Sequence, residues 1–308
     1  MSGAKAGTGF FSFLPLFGPF VVLWGIFWFI PLFTGLELSL VGGKGSILST
    51  SEVVEIDTIG LANYQSALND FKFLKSLENT TLFVVGSILI TLILGFCLAV
   101  VIFRSKRIFH APYLFILLIP SLALPGSLAK LFYLFFHGKS GALNQFLIVP
   151  LGFEPINWMM NPDWILPCLI FQSVWRWTGL VTLLLYCGMR AIPKWQFEAA
   201  ALEGAEGGKV ITSILFPGVR HLLLFAAVFL MVDGVAAFSG AYNLLGGSGG
   251  VLDAGLLFVT YAYQVAFPGG SGRLDLPLAA AMSVLVAVGT ACLAYFLLWM
   301  NRKEGVAK

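Results

Sequence analysis

Ile192–Pro217 reads IPKWQFEAAALEGAEGGKVITSILFP, a polar and charged stretch set between two long apolar runs. Pro193 suits the first turn of a helix, where its missing N–H leaves no intrahelical bond unmade. Gln196 to Leu202 are mostly strong helix formers, and Gly204 supplies a stop just after them. A second short helix is expected from about Lys209, ended or bent at Pro217. The stretch therefore reads as two short helices joined by a glycine turn, lying on a membrane surface rather than crossing it.

The rest of the chain agrees with that setting. Its 308 residues are 58% hydrophobic and 11% charged, with 29 phenylalanines. Soluble domains carry about 25% charged residues, so this much apolar surface does not fit one water-soluble core. A net charge of +3 is too small to point to nucleic acid. Cys97, Cys168, Cys187 and Cys292 all fall in apolar runs without a C-x-x-C pair, and read as buried hydrophobes. His110, His137 and His221 are scattered and form no metal-binding pattern.

Six apolar segments are long enough to cross a hydrocarbon core of about 30 Å: 11–33, 78–103, 111–136, 164–189, 218–244 and 276–300. The first lacks a following small-residue cleavage site and reads as a retained span, bent by Pro15, Pro19 and Pro31. Residues 34–77 read as a polar external loop. With a cytoplasmic N-terminus, the inner side carries 11 Lys and Arg (Lys5, Arg104, Lys106, Arg107, Arg190, Lys194, Lys209, Arg220, Arg302, Lys303, Lys308) and the outer side 5 (Lys44, Lys72, Lys75, Lys139, Arg273). That excess predicts both ends inside, and it places 190–220 in the cytoplasm.

On these residues the chain resembles the permease subunits of binding-protein-dependent ABC importers of the carbohydrate-uptake type, the maltose-importer and glycerol-phosphate-importer group. Their cytoplasmic EAA loop runs E-A-A, D-G-A, then I-x-L-P. Glu198, Ala199 and Ala200 match the first triplet, Gly204 and Ala205 the second, and Ile214 and Pro217 the close. Glu203 stands in place of the usual Asp, and Ile211 in place of the usual aromatic. Further resemblance lies in Gly60, Leu61, Asn63, Tyr64, Asn79 and Thr80, in Gly141–Asn144, and in YAYQVAFPGG followed by LAAAMSVLV. The external LLGGSGG of Leu244–Gly250 lacks the family's threonine and proline, and Pro277 stands where glycine is commoner.

The resemblance implies an all-α integral membrane protein of about six spans with the type I importer fold, N-in and C-in. One permease domain fills 1–308: a first span and external loop over 1–77, a core over 78–300 containing the coupling loop 190–220, and a cytoplasmic tail over 301–308. It implies multi-pass residence in the bacterial cytoplasmic membrane. Expected partners are a second homologous permease subunit, two cytoplasmic ATPase subunits that hold ATP and magnesium, and an external solute-binding protein. The chain itself holds no cofactor, is not an enzyme and binds no nucleic acid. Coupling to the ATPase falls to Glu198, Ala199, Ala200, Glu203, Gly204, Ala205, Ile214 and Pro217.

For the solute, the expected cargo is a sugar or oligosaccharide, with an acidic saccharide or a sugar or glycerol phosphate as variants. Ionisable groups within spans are costly and face a bundle interior or a wet cavity. Arg176 and Asp233 are such groups, and they either pair with each other or line a cavity. Phe238, Tyr242 and Asn243 follow Asp233; the aromatics pack on sugar faces in one reading and anchor to lipid in the other. Lys130, nearer a span end, snorkels. Two other classes stand against the importer: a membrane enzyme, for which no nucleophile, base or metal cluster is visible, and an ion-coupled carrier using Asp233, which leaves 192–217 without a purpose. Gly138-Lys139-Ser140 is no P-loop, because Tyr133 occupies the required earlier glycine.

Overall fold

The computed structural model describes residues 9–41, 60–267 and 274–306. Lys5, Lys44, Arg273 and Lys308 of the charge count, and most of the polar loop after the first span, lie outside the described residues. Apart from a bridge residue at Val41, the regular structure described is helical throughout.

In chain order the helices are α1 (Gly9–Leu40), α2 (Ala62–Leu68), α3 (Phe71–Arg104), α4 (His110–Leu122), α5 (Pro125–Phe135), α6 (Pro162–Ala191), α7 (Lys194–Leu202), α8 (Gly208–Val210), α9 (Phe216–Val235), α10 (Ser239–Leu244), α11 (Phe258–Ala266) and α12 (Leu276–Val306). Five stretches are long and apolar enough to span: Phe17–Leu40, Phe71–Arg104, Pro162–Ala191, Gly208–Val235 and Leu276–Trp299. The sixth candidate is a broken pair, α4 and α5, bent by 97°.

That break corrects the expectation of a single span over 111–136. Proline disfavours the α conformation in the residue before it, and Leu124, ahead of Pro125, is extended at φ −62°, ψ 132°. Pro125 then starts a new helix at its first turn, where proline belongs. The expected span 218–244 is also divided. Helix α9 ends at Val235, Phe238 leaves helical geometry at φ −128°, ψ −68°, and α10 follows. At its start, however, that span is longer than expected. A wide π turn over Ile211–Leu215 joins α8 to α9, so Gly208–Val235 runs through as one segment. Pro217 neither ends nor bends a surface helix: it sits in the first turn of α9, directly after the π turn. A proline in a helix interior would strip one ladder bond, and a local π turn is one way that spans absorb it.

The polar stretch 34–77 is less loop-like than expected. Helix α1 continues to Leu40, α2 occupies 62–68, and α3 starts at Phe71, where Asp70 caps it by accepting from the N–H groups of Lys72 and Phe73. Residues 301–306, expected as tail, continue α12.

The bundle is organised around α3 against α6, with α9 on both and α4 along α6. Close approach of α4 to α6 depends on Gly179, where a Cβ would fall 1.7 Å from the carbonyl oxygen of Leu117. Small residues at such crossings let backbones approach in lipid, where van der Waals contact drives association. Helix α1 lies outside this core against α12 and α2, and its apolar side chains, Phe27 and Trp28 among them, are exposed.

Candidate functional site

The two interrupted spans meet. Helices α5 and α10 pack on one another, and the breaks that precede them open onto a cavity of about 230 Å³. Irregular backbone at membrane depth survives only where protein buries it or a wet cavity receives its polar groups. Pro125 and Ala236–Ala241 line this cavity from the breaks, and α6 supplies Gln172, Ser173, Arg176 and Trp177. These four lie one helical turn apart, on a single face of α6.

Asp233 and Arg176 both line the cavity, yet no hydrogen bond or ion pair joins them. Asp233 accepts instead from the indole N–H of Trp177, Nε1 to Oδ2 at 2.7 Å. The Arg176 guanidinium lies over the same indole, 4.6 Å from the ring centroid, a cation–π geometry. Trp177 therefore separates cation from anion. Its N–H edge holds the carboxylate and its face holds the guanidinium. The Nε of Arg176 is buried without a hydrogen-bond partner. Gln172, only 6% exposed, lines the same space. Arg176 and Asp233 thus share the lining of one cavity without a direct bond between them.

Phe238 lines the cavity, whereas Tyr242 and Asn243 do not. Tyr242 packs behind Phe238 at 4.9 Å between ring centroids, and both rings meet Tyr263. Asn243 is exposed and bonds the carbonyl of Ser239 within its own turn. Lys130 is exposed on α5. The sequence reading passed over Gln172, Ser173 and Trp177. The polar pair one turn before Arg176 was the available signal.

At the C-terminal end of α6 the chain turns into α7. Its close is a Schellman motif: Ala205 N–H reaches Ala200 C=O at 2.8 Å and Gly204 N–H reaches Ala201 C=O at 3.1 Å. Gly204 takes φ +70°, which a residue with a Cβ adopts only at a cost. Hence E-G-A, with Glu203 at the cap, is a helix-stop device. Phe197 turns inward and stacks on Phe103 of α3, ring centroids 6.0 Å apart. Trp195, Glu198, Ala199 and Leu202 are exposed on the other side, Leu202 at 92%. Ile214 is buried in the π turn, so its contribution is to packing within the loop. Arg104 donates to the carbonyl oxygen of Gly207, which has φ +58° and ψ −114°.

The remaining motif residues hold the connections at the far side of the bundle. Asn63 donates to Ser39 and Val41 carbonyls, and Tyr64 bonds Ser39 at 2.7 Å. Asn79 donates to the carbonyls of Asp253 and Leu256, while Thr80 accepts from Phe258 N–H at 2.8 Å. Asn144 is fully buried and ties His137, Gly138, Ile156 and Trp158 together.

Residues 88–305 match the model of a family described as binding-protein-dependent transport system inner membrane component. A xylose/arabinose import permease protein of Haloferax volcanii is 30% identical over 227 residues, 71% of each chain. A lactose transport system permease protein of Rhizobium radiobacter is 25% identical over 249 residues, 81% of each chain. Among solved structures, a bacterial alginate ABC transporter in complex with an alginate pentasaccharide-bound periplasmic protein contains a similar chain. It has a TM-score of 0.80 at 17% identity, covering 98% of both chains, and shows the fold.

Proposed function

Because the chain belongs to the family of binding-protein-dependent transport inner membrane components, as a multi-pass carbohydrate-type ABC permease without catalysis of its own, we propose that its α7 loop receives an ATPase subunit while its broken-helix cavity passes a polyhydroxylated solute. The α7 face carries this reading. Trp195, Ala199 and Leu202 recur at i, i+4 and i+7, exposed, on a helix whose inner face is already occupied by Phe197 against Phe103. An amphipathic helix laid in a groove presents such anchors to a partner.

Two cytoplasmic ATPase subunits bind ATP and magnesium, a second permease subunit completes the pore, and an external binding protein delivers the solute. The membrane is the bacterial cytoplasmic membrane, with both termini inside. The cavity volume is below the roughly 300–1,000 Å³ of a self-sufficient ligand pocket, as expected where a second subunit supplies a wall. We keep the division into 1–77, a core of 78–300 and a tail of 301–308 as a functional reading, with α3 and α12 running across its two boundaries. Transport follows alternating access: ATP binding closes the ATPase pair, the docked loops move with it, and the pore exchanges inward- for outward-facing states.

The cavity's chemistry suits a sugar hydroxyl array. Arg176 donates, Asp233 accepts, and the Gln172 amide does both, while Phe238 offers an aromatic ring to C–H groups. One cation and one anion face the solute, so a neutral saccharide is matched better than a uronate or a phosphate. The membrane-enzyme reading finds no support in the family, and neither does the ion-coupled carrier.

The test is co-purification and ATP hydrolysis by the complex in lipid. Glu198→Arg and Gly204→Trp are expected to release the ATPase subunits or abolish solute-stimulated hydrolysis while the permease stays folded. Retention of both properties overturns the docking assignment. Gln172→Leu is expected to lower uptake with ATPase association intact; unchanged uptake removes the cavity from the pathway.

A further inference from the structure

The covalent connection between α6 and α7 is two extended residues, Ile192 (φ −64°, ψ 128°) and Pro193 (φ −60°, ψ 137°). No helical hydrogen-bond ladder runs through them, so this link cannot by itself carry a tilt of α7 into the bundle. At its other end the loop runs through α8 and the π turn into α9, so a direct tie to α3, α4 and α6 must come from side-chain contacts. The C-terminal end of α3 meets it at two points: Phe103 stacks on Phe197 of α7, and Arg104 donates to the Gly207 carbonyl. That carbonyl is aimed by backbone angles that favour glycine, which gives Gly207 a reason to be there.

The same end of α3 is tied onward. The carbonyl of Ser105 bonds His110 Nε2 at 3.0 Å, and His110 Nδ1 bonds the Tyr186 hydroxyl at 2.7 Å. His110 begins α4 and Tyr186 lies on α6, the helix that carries Arg176 and Trp177 to the cavity. Loop, α3, α4 and α6 are thus joined at one junction.

We infer that Arg104 is a positioning residue for energy coupling, clamping the loop's glycine turn to α3 so that loop movement reaches the cavity-lining helices as one body. The inference rests on α7 as the ATPase docking helix, and concerns what happens after docking. Arg104 touches neither solute nor nucleotide in this scheme. Its exposed position at the end of α3 also suits a cation, because the helix C-terminus is the negative end of its dipole.

The experiment uses the full complex in proteoliposomes with the loaded binding protein, comparing wild type, Arg104→Gln, Arg104→Lys and Gly207→Ala. Solute taken up per ATP hydrolysed is expected to fall about tenfold in Arg104→Gln, within the usual range of coupling between sites. ATPase subunits remain bound and basal hydrolysis persists. Gly207→Ala attacks the same bond from its acceptor side and is expected to behave alike, while Arg104→Lys regains much of the loss. A merely structural role would lower uptake and hydrolysis together and leave their ratio intact; that outcome overturns the inference. So does loss of ATPase subunits from Arg104→Gln, which would place Arg104 in docking. Glu198→Arg is the control: if it releases the ATPase subunits while Arg104→Gln keeps the wild-type ratio, only the clamp fails. If it releases nothing, the docking assignment fails first.

Discussion

Trp177 shows what a residue-level reading can and cannot reach. An arginine and an aspartate in apolar spans announce themselves in a sequence, because their burial is costly. Their relation does not, since it depends on which groups α6 and α9 bring face to face. The indole takes both roles that a direct ion pair would have filled, and a tryptophan beside an arginine has no pattern of its own. Asn144 is the opposite case. It resembled a family position without any stated reason, and the structure supplies one. Its amide makes five hydrogen bonds from a fully buried site. Asn144→Ala strands several of those partners, each at about 1–3 kcal/mol, so a loss of about 3 kcal/mol or more is expected. Thermal melting of the purified complex in lipid would read it, and an unchanged midpoint would show that water replaces the side chain freely.

Helices and their ends were legible wherever a local cause acts. Long apolar runs gave four of the spans within several residues, and Gly204 gave the stop of α7. The misplaced boundaries have physical reasons. A hydropathy reading joins 111–136 because both halves are apolar, although Pro125 already disfavours an α conformation at Leu124. Pro217 was read as a breaker, whereas the π turn at Ile211–Leu215 lets the helix pass. Nothing local marks the end of α9 as strongly; there the cavity accepts the freed backbone. Two outcomes follow at this scale. Gly204→Asn is expected to keep near-normal coupling, because Asn tolerates the left-handed region, while Gly204→Val costs about 1–2 kcal/mol of loop stability. Among the described residues nothing lies within 4 Å of a Cβ there, so the cost is conformational, and limited proteolysis of the loop would separate the two variants. Gly179→Leu must push α4 from α6, since even a Cβ meets the Leu117 carbonyl. Overpacking of about 1–3 kcal/mol or more is expected, with reduced yield of assembled complex. Normal assembly would mean that α4 shifts freely.

For the whole molecule, the question is which energy source moves the solute. An ion-coupled carrier would place its coupling group in the cavity, and among the described residues Asp233 is the only carboxylate lining it. That carboxylate is already engaged by Trp177, and a helix with an exposed apolar face, α7, would then have no partner to bury it. In the proposed importer scheme, ATP supplies the difference between two global states, and the part proposed for Asp233 is that of an acceptor lining the cavity. The two schemes separate on Asp233→Asn in proteoliposomes. The amide keeps an acceptor for the indole and loses the charge, so uptake with ATP and the loaded binding protein is expected to persist at a reduced rate. An imposed proton or sodium gradient without ATP is expected to drive no uptake in either wild type or variant. Gradient-driven uptake by the wild type, lost in Asp233→Asn, would move the working charge from the ATPase partners into this chain. The bond between Trp177 and Asp233 would then be a resting contact broken in each cycle. Persistence of ATP-driven uptake instead leaves the cavity as a passive, shaped route and assigns the work to the loop that follows the C-terminal end of α6.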